Sequence, residues 1–255
     1  MTSTSAIDLE GVTSQLENVG CAVIPGVLSD EESGRLVQTL WDSSAEAERR
    51  GLPSHVPGLD PNASNVRVFN LVDLDPAFEA LLSHPTADMV VSSYLGDDYI
   101  ISNFSANIAR PGSGSMAFHS DQALVAPEPW TTPWSMNVIW CLCDLKLENG
   151  ATLQVPGSHR FERRAQMPAT IEEELVPILA PRGSIAVMDG RLWHTSGANT
   201  TVDEDRPLLF AYYSRPFVRA QWNFTATLRR DVKQRMSPDM RYRLGLDATL
   251  NRREL

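Results

Sequence analysis

The apolar residues of the first hundred positions fall at helical spacing. Leu9, Val12, Leu16 and Val19 recur at intervals of three and four, a single stripe that stops at Gly20 and predicts one amphipathic helix. Cys21 to Pro25 reads as a short strand. Ser29 stands three residues before Glu32, with Asp30 and Glu31 between them, a capping-box pattern that opens a helix through Leu36, Leu40 and Trp41. From Gly51 to Asn65 three prolines and two glycines stand among serines and asparagines, which predicts a long loop of the kind that often forms a lid. Asp75-Pro76 starts another helix, and Pro85 to Leu95 a further one that Gly96 ends.

Beyond residue 98 the pattern changes to short apolar runs separated by turn signals. The runs are Tyr99 to Ala109, Ser135 to Leu145, Ala151 to Val155, Ser184 to Met188 and Pro207 to Ser214. Between them lie Arg110-Pro111-Gly112-Ser113-Gly114, Glu148-Asn149-Gly150, Pro156-Gly157-Ser158 and Asp189-Gly190. Strands at this spacing predict an antiparallel barrel or jelly roll. From Leu228 the sequence returns to charged helical character. With no internal repeat and no convincing linker, one domain over 1–255 is expected: helical support in 1–97, a β core in 98–218 and C-terminal helices in 219–255.

Composition narrows the function. Hydrophobic residues make up 42% and charged residues 21%, an ordinary globular balance. A formal charge of −10 argues against a nucleic-acid binder, whose footprint is basic. No apolar run reaches the length of a membrane span, and Met1 to Ser5 lacks the basic and apolar regions of a signal peptide. Cys21, Cys141 and Cys143 are odd in number and lack zinc spacing, so they predict buried free thiols in a reducing cytoplasm.

The candidate chemistry begins at Phe118-His119-Ser120-Asp121. On an extended strand, residues two apart share a face, so His119 and Asp121 can reach one ion. Such a pair alone is close to what chance supplies. His194, in Arg191-Leu192-Trp193-His194 after the Asp189-Gly190 turn, completes two imidazoles and a carboxylate, the set that leaves three positions open on iron(II). On residue logic alone His159 is an alternative third ligand. A keto-acid chelating such an ion leaves a distal carboxylate, whose burial demands a cation. Arg206 lies 12 residues after His194, and a turn over Asn199 to Asp205 would return its strand beside His194 for a bidentate pair. The competing reading has Arg206 balance Asp203, Glu204 and Asp205 at the surface.

At these residues the chain resembles the phytanoyl-CoA dioxygenase family of Fe(II)/2-oxoglutarate oxygenases, in style its small-molecule and natural-product branch. Asn18 to Leu28 followed by Ser29-Asp30-Glu31-Glu32 is similar to the family's opening. Phe118-His119-Ser120-Asp121-Gln122 resembles its metal motif. Glu148-Asn149-Gly150-Ala151-Thr152 and Val155-Pro156-Gly157-Ser158-His159 resemble its most recognisable stretch, and His194 with Arg206 its distal motif. The resemblance implies a double-stranded β-helix (jelly-roll) core with helices packed on one side. It also implies His119, Asp121 and His194 as iron ligands and Arg206 as the 2-oxoglutarate anchor. Thr152 falls where relatives place a hydroxyl near the co-substrate, Arg67 where some carry a second basic contact, and Met116 where many carry Gln. His159 is assigned to structure. Related halogenases lack the metal carboxylate, so Asp121 disfavours halogenation.

The expected function is therefore an oxygenase that consumes 2-oxoglutarate and O2 at Fe(II), hydroxylates a hydrophobic or amphipathic small molecule, and releases succinate and CO2. Phe104, Phe118, Trp130, Trp134 and Trp193 are the candidate substrate walls, and His55 in the Pro/Gly-rich loop a candidate lid contact. Trp140, within an apolar strand, is expected in the core. An acyl-CoA substrate would need a basic cluster such as Arg160, Arg163 and Arg164. A zinc hydrolase and a non-catalytic cupin-like binding protein are the competing classes. The expected partner is a small molecule, with no nucleic acid or membrane; homodimerisation is left open.

Overall fold

A computed structural model describes residues 7–58 and 60–247, so the outermost parts of the expected helical support and C-terminal helices lie outside the described residues. The order begins α1 (Leu9–Asn18), β1 (Cys21–Ile24), α2 (Asp30–Arg49), β2 (Asn65–Val68), α3 (Leu71–Leu74), α4 (Pro76–Leu82) and α5 (Pro85–Leu95). It continues with β3 (Ile100–Ala109), α6 (Asp121–Val125), β4 (Ser135–Cys141), β5 (Thr152–Gln154), β6 (Val176–Pro177), β7 (Ile185–Asp189), β8 (His194–Ser196) and β9 (Arg206–Ser214). Three short helices close it: α7 (Phe224–Thr227), α8 (Arg230–Arg235) and α9 (Pro238–Arg243).

Local chemistry accounts for the helical half. The capping box at α2 is complete: the Glu32 amide donates to Ser29 Oγ, and Glu32 Oε2 accepts from the Ser29 amide at 2.8 Å. The helix runs two turns past Trp41 because Ser43 and Ala47 continue its buried stripe. The capping carboxylate of Glu32 is held below its ordinary pKa, chiefly by hydrogen bonds from the Ser29 backbone and side chain.

The strands form a six-stranded antiparallel sheet, ordered β1-β7-β4-β9-β3-β2, and a small sheet, ordered β6-β5-β8. A bridge from His119 to His194 adds a fourth row to the small sheet. Successive segments of the core alternate between the sheets: β3, the His119 segment, β4, β5 with β6, β7, β8 and β9. This alternation is that of a double-stranded β-helix, with β1 and β2 as added edges.

β4, β7 and β9 of the large sheet are buried on both faces, so they read as apolar runs with few polar interruptions. Strand parity then sorts the side chains. Phe104, Val138, Trp140, Val187, Leu209 and Tyr213 face the helices and belong to the main core. Ile139, Cys141, Ala186, Met188 and Leu208 face the other way and form a second core inside the jelly roll. Cys21 and Cys141 are buried in that inner cluster as free thiols, and burial raises the Cys21 pKa to about 12.

Gly150 marks the closest backbone approach. Its φ is +83°, and a Cβ there would stand 2.8 Å from the Gly197 carbonyl oxygen. The Glu148-Asn149-Gly150 turn can therefore deliver β5 against β8 only without a side chain at this point.

Candidate metal centre

Three elements bring the donors together. His119 sits opposite His194 across the small sheet, and the pair exchange both backbone bonds, at 3.0 and 2.8 Å. Asp121 does not continue that strand. Ser120 is the N-cap of α6 and Asp121 its first residue, with the Ser120 hydroxyl also donating to the Gly190 carbonyl at 3.0 Å. The strand geometry expected for His119 and Asp121 is thus replaced by a strand-to-helix corner, which reaches the same convergence. One ligand atom from each of His119, Asp121 and His194 lies within 4.8 Å of the others. Asp121 Oδ1 is 3.5 Å from His119 Nε2 and 3.9 Å from His194 Nε2.

Backbone carbonyls fix the tautomers. His119 Nδ1 stands 2.8 Å from the Ala117 carbonyl, and His194 Nδ1 2.9 Å from that of Leu192. A carbonyl only accepts, so each Nδ1 must carry the proton and each Nε2 presents a lone pair to the cluster. Burial pulls the His194 pKa down and outweighs the Asp121 charge, which favours the neutral ring a metal requires. For His119 burial also pulls down, but the Asp121 hydrogen bond and charge win and the pKa rises. Asp121 loses to desolvation but gains more from the two histidines and Asn137, and its pKa falls.

The donors open into a cavity of about 270 Å3 between the two sheets. Arg206 lies at its inner end and is only 1% exposed. Its Nη2 donates to Asn107 Oδ1 at 3.0 Å, while its Nε has no hydrogen-bond partner among the described residues. Burial lowers its pKa to about 10, and no carboxylate among the described residues pairs with it. The surface role of balancing Asp203, Glu204 and Asp205 is excluded by that burial. Nor does Arg206 lie beside His194 within one sheet, because β9 belongs to the large sheet and β8 to the small one. Arg206 lines the same cavity as the three donors, from the opposite sheet to His194.

Arg67 also lines the cavity, but its Nε donates to the buried Asp60 carboxylate at 2.6 Å and an Nη to the Met116 sulfur at 3.3 Å. Its charge is already balanced. Thr152 and Met116 lie on the cavity wall.

The expected aromatic wall is elsewhere. Phe104 faces the helices and packs edge-on against Phe78, because it has the opposite parity to Asn103 and Ser105. Phe118, Trp130 and Trp193 pack with one another beside the metal motif, with ring centroids 5.4 and 6.0 Å apart. Trp134 meets Phe217 edge-on, and His55 stands 3.9 Å from Asp60 behind the wall. The cavity is lined instead by Phe69, Leu124, Ile139, Phe210 and Tyr212, with Asn103, Ser105 and Asn137 as polar neighbours. The readable signal for these was a polar residue recurring at every second position of β3, and one asparagine in the apolar run of β4.

The cations that could serve an acyl-CoA, and the remaining candidate residues, are engaged elsewhere. Arg160 donates to the Asn18 carbonyl, Arg163 lies 3.9 Å from Glu128, and Arg164 stacks over Trp193 at 4.7 Å, which leaves no assembled phosphate cluster. His159 Nε2 bonds the Glu17 carbonyl at 3.0 Å and its ring packs on Gly20, away from the metal cluster. A larger groove of about 520 Å3 runs between α5 and α9, but its Arg243 is paired with Asp88 and Asp239. Among the described residues no helix is long and apolar enough to cross a membrane.

Two imidazoles and one carboxylate, in one cavity with a buried arginine that has no carboxylate partner among the described residues, form a donor set that could hold one metal ion and leave positions open. The chain belongs to the phytanoyl-CoA dioxygenase (PhyH) family, whose description matches residues 16–207. It is 47% identical over 240 residues to dioxygenase af480 of Aspergillus fumigatus, covering 94% of this chain and 78% of that protein. It is 24% identical over 244 residues to the iron/alpha-ketoglutarate-dependent dioxygenase ausU of Aspergillus calidoustus, covering 92% and 80%. The crystal structure of EctD from S. alaskensis with bound Fe shares the fold at a TM-score of 0.67 and 19% identity, covering 87% of this chain and 81% of that one.

Proposed function

We propose that this dioxygenase uses iron(II) and 2-oxoglutarate to hydroxylate an unactivated C–H bond of a hydrophobic or amphipathic small molecule, releasing succinate and CO2. The observation that carries the reading is the pairing of the His119–Asp121–His194 cluster with Arg206 across one cavity. The donor set fits iron(II): nitrogen and carboxylate oxygen with no thiolate, and three donors where a closed zinc site takes four. When bound, the iron and keto-acid supply oxygen activation coupled to decarboxylation.

The chain's residues do the rest. His119 Nε2, His194 Nε2 and Asp121 Oδ1 hold the ion. Arg206 takes the distal carboxylate of 2-oxoglutarate in a charge-assisted pair that satisfies its buried guanidinium, with Asn107 holding one edge of the fork. Thr152 offers a hydroxyl on the facing sheet. Arg67, neutralised by Asp60, contributes packing and a residual donor rather than a second full charge. Phe69, Phe210, Ile139 and Leu124 give the substrate an apolar bed, and Leu124 is 64% exposed at the mouth. A cavity of about 270 Å3 is small for a co-substrate and a second molecule together, so the substrate's apolar body extends onto that mouth. The absence of an assembled phosphate cluster among the described residues favours a small lipophilic substrate over an acyl-CoA.

The test is a panel of lipophilic small molecules incubated aerobically with the protein, Fe(II) and 2-oxoglutarate, with succinate as readout. Substrate-dependent succinate together with a product heavier by one oxygen is expected. Succinate matched by a dehydrogenated or rearranged product would replace hydroxylation with another outcome.

A further inference from the structure

We infer that Asn137 is the positioning residue that holds Asp121 as a one-oxygen metal ligand. The inference rests on the proposed metal centre and concerns how its carboxylate is set.

Asn137 lies on the inner face of β4, in register with Tyr212 of β9 and Met188 of β7, and is 8% exposed. Its Nδ2 donates to Asp121 Oδ2 at 3.1 Å. The other oxygen, Oδ1, is the one turned toward both imidazole nitrogens. The two carboxylate oxygens therefore have different tasks: one faces the ion position and the other is tied to the large sheet.

Coordination arithmetic gives that division its use. A carboxylate held through one oxygen, with two imidazoles, occupies three of six octahedral positions. A carboxylate chelating through both oxygens would occupy a fourth. The proposed chemistry needs two positions for the keto-acid and one for oxygen, so chelation by Asp121 would close the site. Asn137 opposes that swing by holding Oδ2.

The orientation of the amide is chemically fixed. Only the NH2 end can face an acceptor-only carboxylate, which directs Asn137 Oδ1 away from it, and that oxygen has no hydrogen-bond partner among the described residues. An unsatisfied buried acceptor is destabilising. A leucine would avoid that cost in a strand that, after Ser135, otherwise carries Met136, Val138, Ile139, Trp140 and Cys141. Stability alone does not account for an asparagine here, whereas support of a metal carboxylate does.

The test compares the parent chain with Asn137→Leu, which keeps the number and branching of side-chain heavy atoms while removing the polar groups, and Asn137→Ser, which removes bulk. Co(II), a redox-stable probe, is titrated calorimetrically and by visible absorption, alongside thermal melts. The expected result is a melting temperature at or near the parental value, an altered Co(II) spectrum, and a Co(II) Kd weakened roughly 10–100-fold. Folded variants whose Kd and spectrum match the parent overturn the inference. Failure of both variants to fold overturns it too, because Asn137 would then be a structural residue. A parent chain that binds no Co(II) removes the proposed metal centre itself, a different failure from parental binding with unchanged variants.

Discussion

His194→Ala abolishes turnover and binds Co(II) far more weakly than the parent, while His159→Ala binds Co(II) as the parent does and unfolds at lower denaturant. The contrast follows from what each ring touches. His194 Nδ1 is committed to the Leu192 carbonyl, so Nε2 has no task except the cluster with His119 and Asp121. Removing one of three protein ligands exceeds the roughly 10–100-fold loss typical of an outer partner. His159 instead spans the Glu17 carbonyl and Gly20, joining the end of α1 to the Pro-Gly-Ser-His turn. Its removal takes the part-buried hydrogen bond from the Glu17 carbonyl and leaves a void, the bond alone contributing about 0.5–1.5 kcal/mol. Calorimetric Co(II) titration and urea denaturation of both variants check the pair. Reversed phenotypes would assign the third ligand to His159.

Arg206→Met gives the second large effect, and its two readouts move in opposite directions. The parent buries a guanidinium with no carboxylate partner among the described residues, beside a second arginine whose charge also disfavours it. Without 2-oxoglutarate, an apolar side chain of similar reach leaves the variant as stable as the parent or more so, because an uncompensated buried charge is costly. With 2-oxoglutarate, the variant loses the charge-assisted partner of the distal carboxylate. Losing one member of a buried ion pair costs about 2–5 kcal/mol, which is roughly 30-fold to several-thousand-fold in affinity. Thermal melts without co-substrate and 2-oxoglutarate titration of the Co(II)-bound protein measure both. An unchanged 2-oxoglutarate Kd contradicts the assignment of Arg206 as the anchor.

Much of this was legible before the fold. The helical stripe of α1, the capping box of α2 and the strand runs from β3 to β9 are local patterns, and local patterns fix local elements. The site was legible where type and context agreed: His194 follows a turn, and Arg206 opens a long apolar strand. What the sequence did not reveal depended on contacts between distant segments. Asp60 pairs with Arg67 from a loop, so the ion pair that engages Arg67 could not be read from its strand. Phe104, a candidate substrate wall, faces the helices by strand parity, and Trp130 and Trp193 are buried in a cluster with Phe118, contacts between distant segments that no local pattern carries. The His119–Asp121 corner needed Ser120 as an N-cap, a role visible in retrospect from a serine directly before Asp121-Gln122-Ala123-Leu124. Asn137 is the clearest such signal, the one amide in β4, where its side chain lines the cavity and donates to Asp121.

The most direct measurement of the central assignment is anaerobic. Fe(II) is added to the parent chain, then 2-oxoglutarate, and the visible spectrum is followed. A weak metal-to-ligand absorption band that arises only when both are present, and that is lost in His194→Ala, is the expected result. A parent chain that gives no band with Fe(II) and 2-oxoglutarate together, or the same band with His194 replaced, contradicts it.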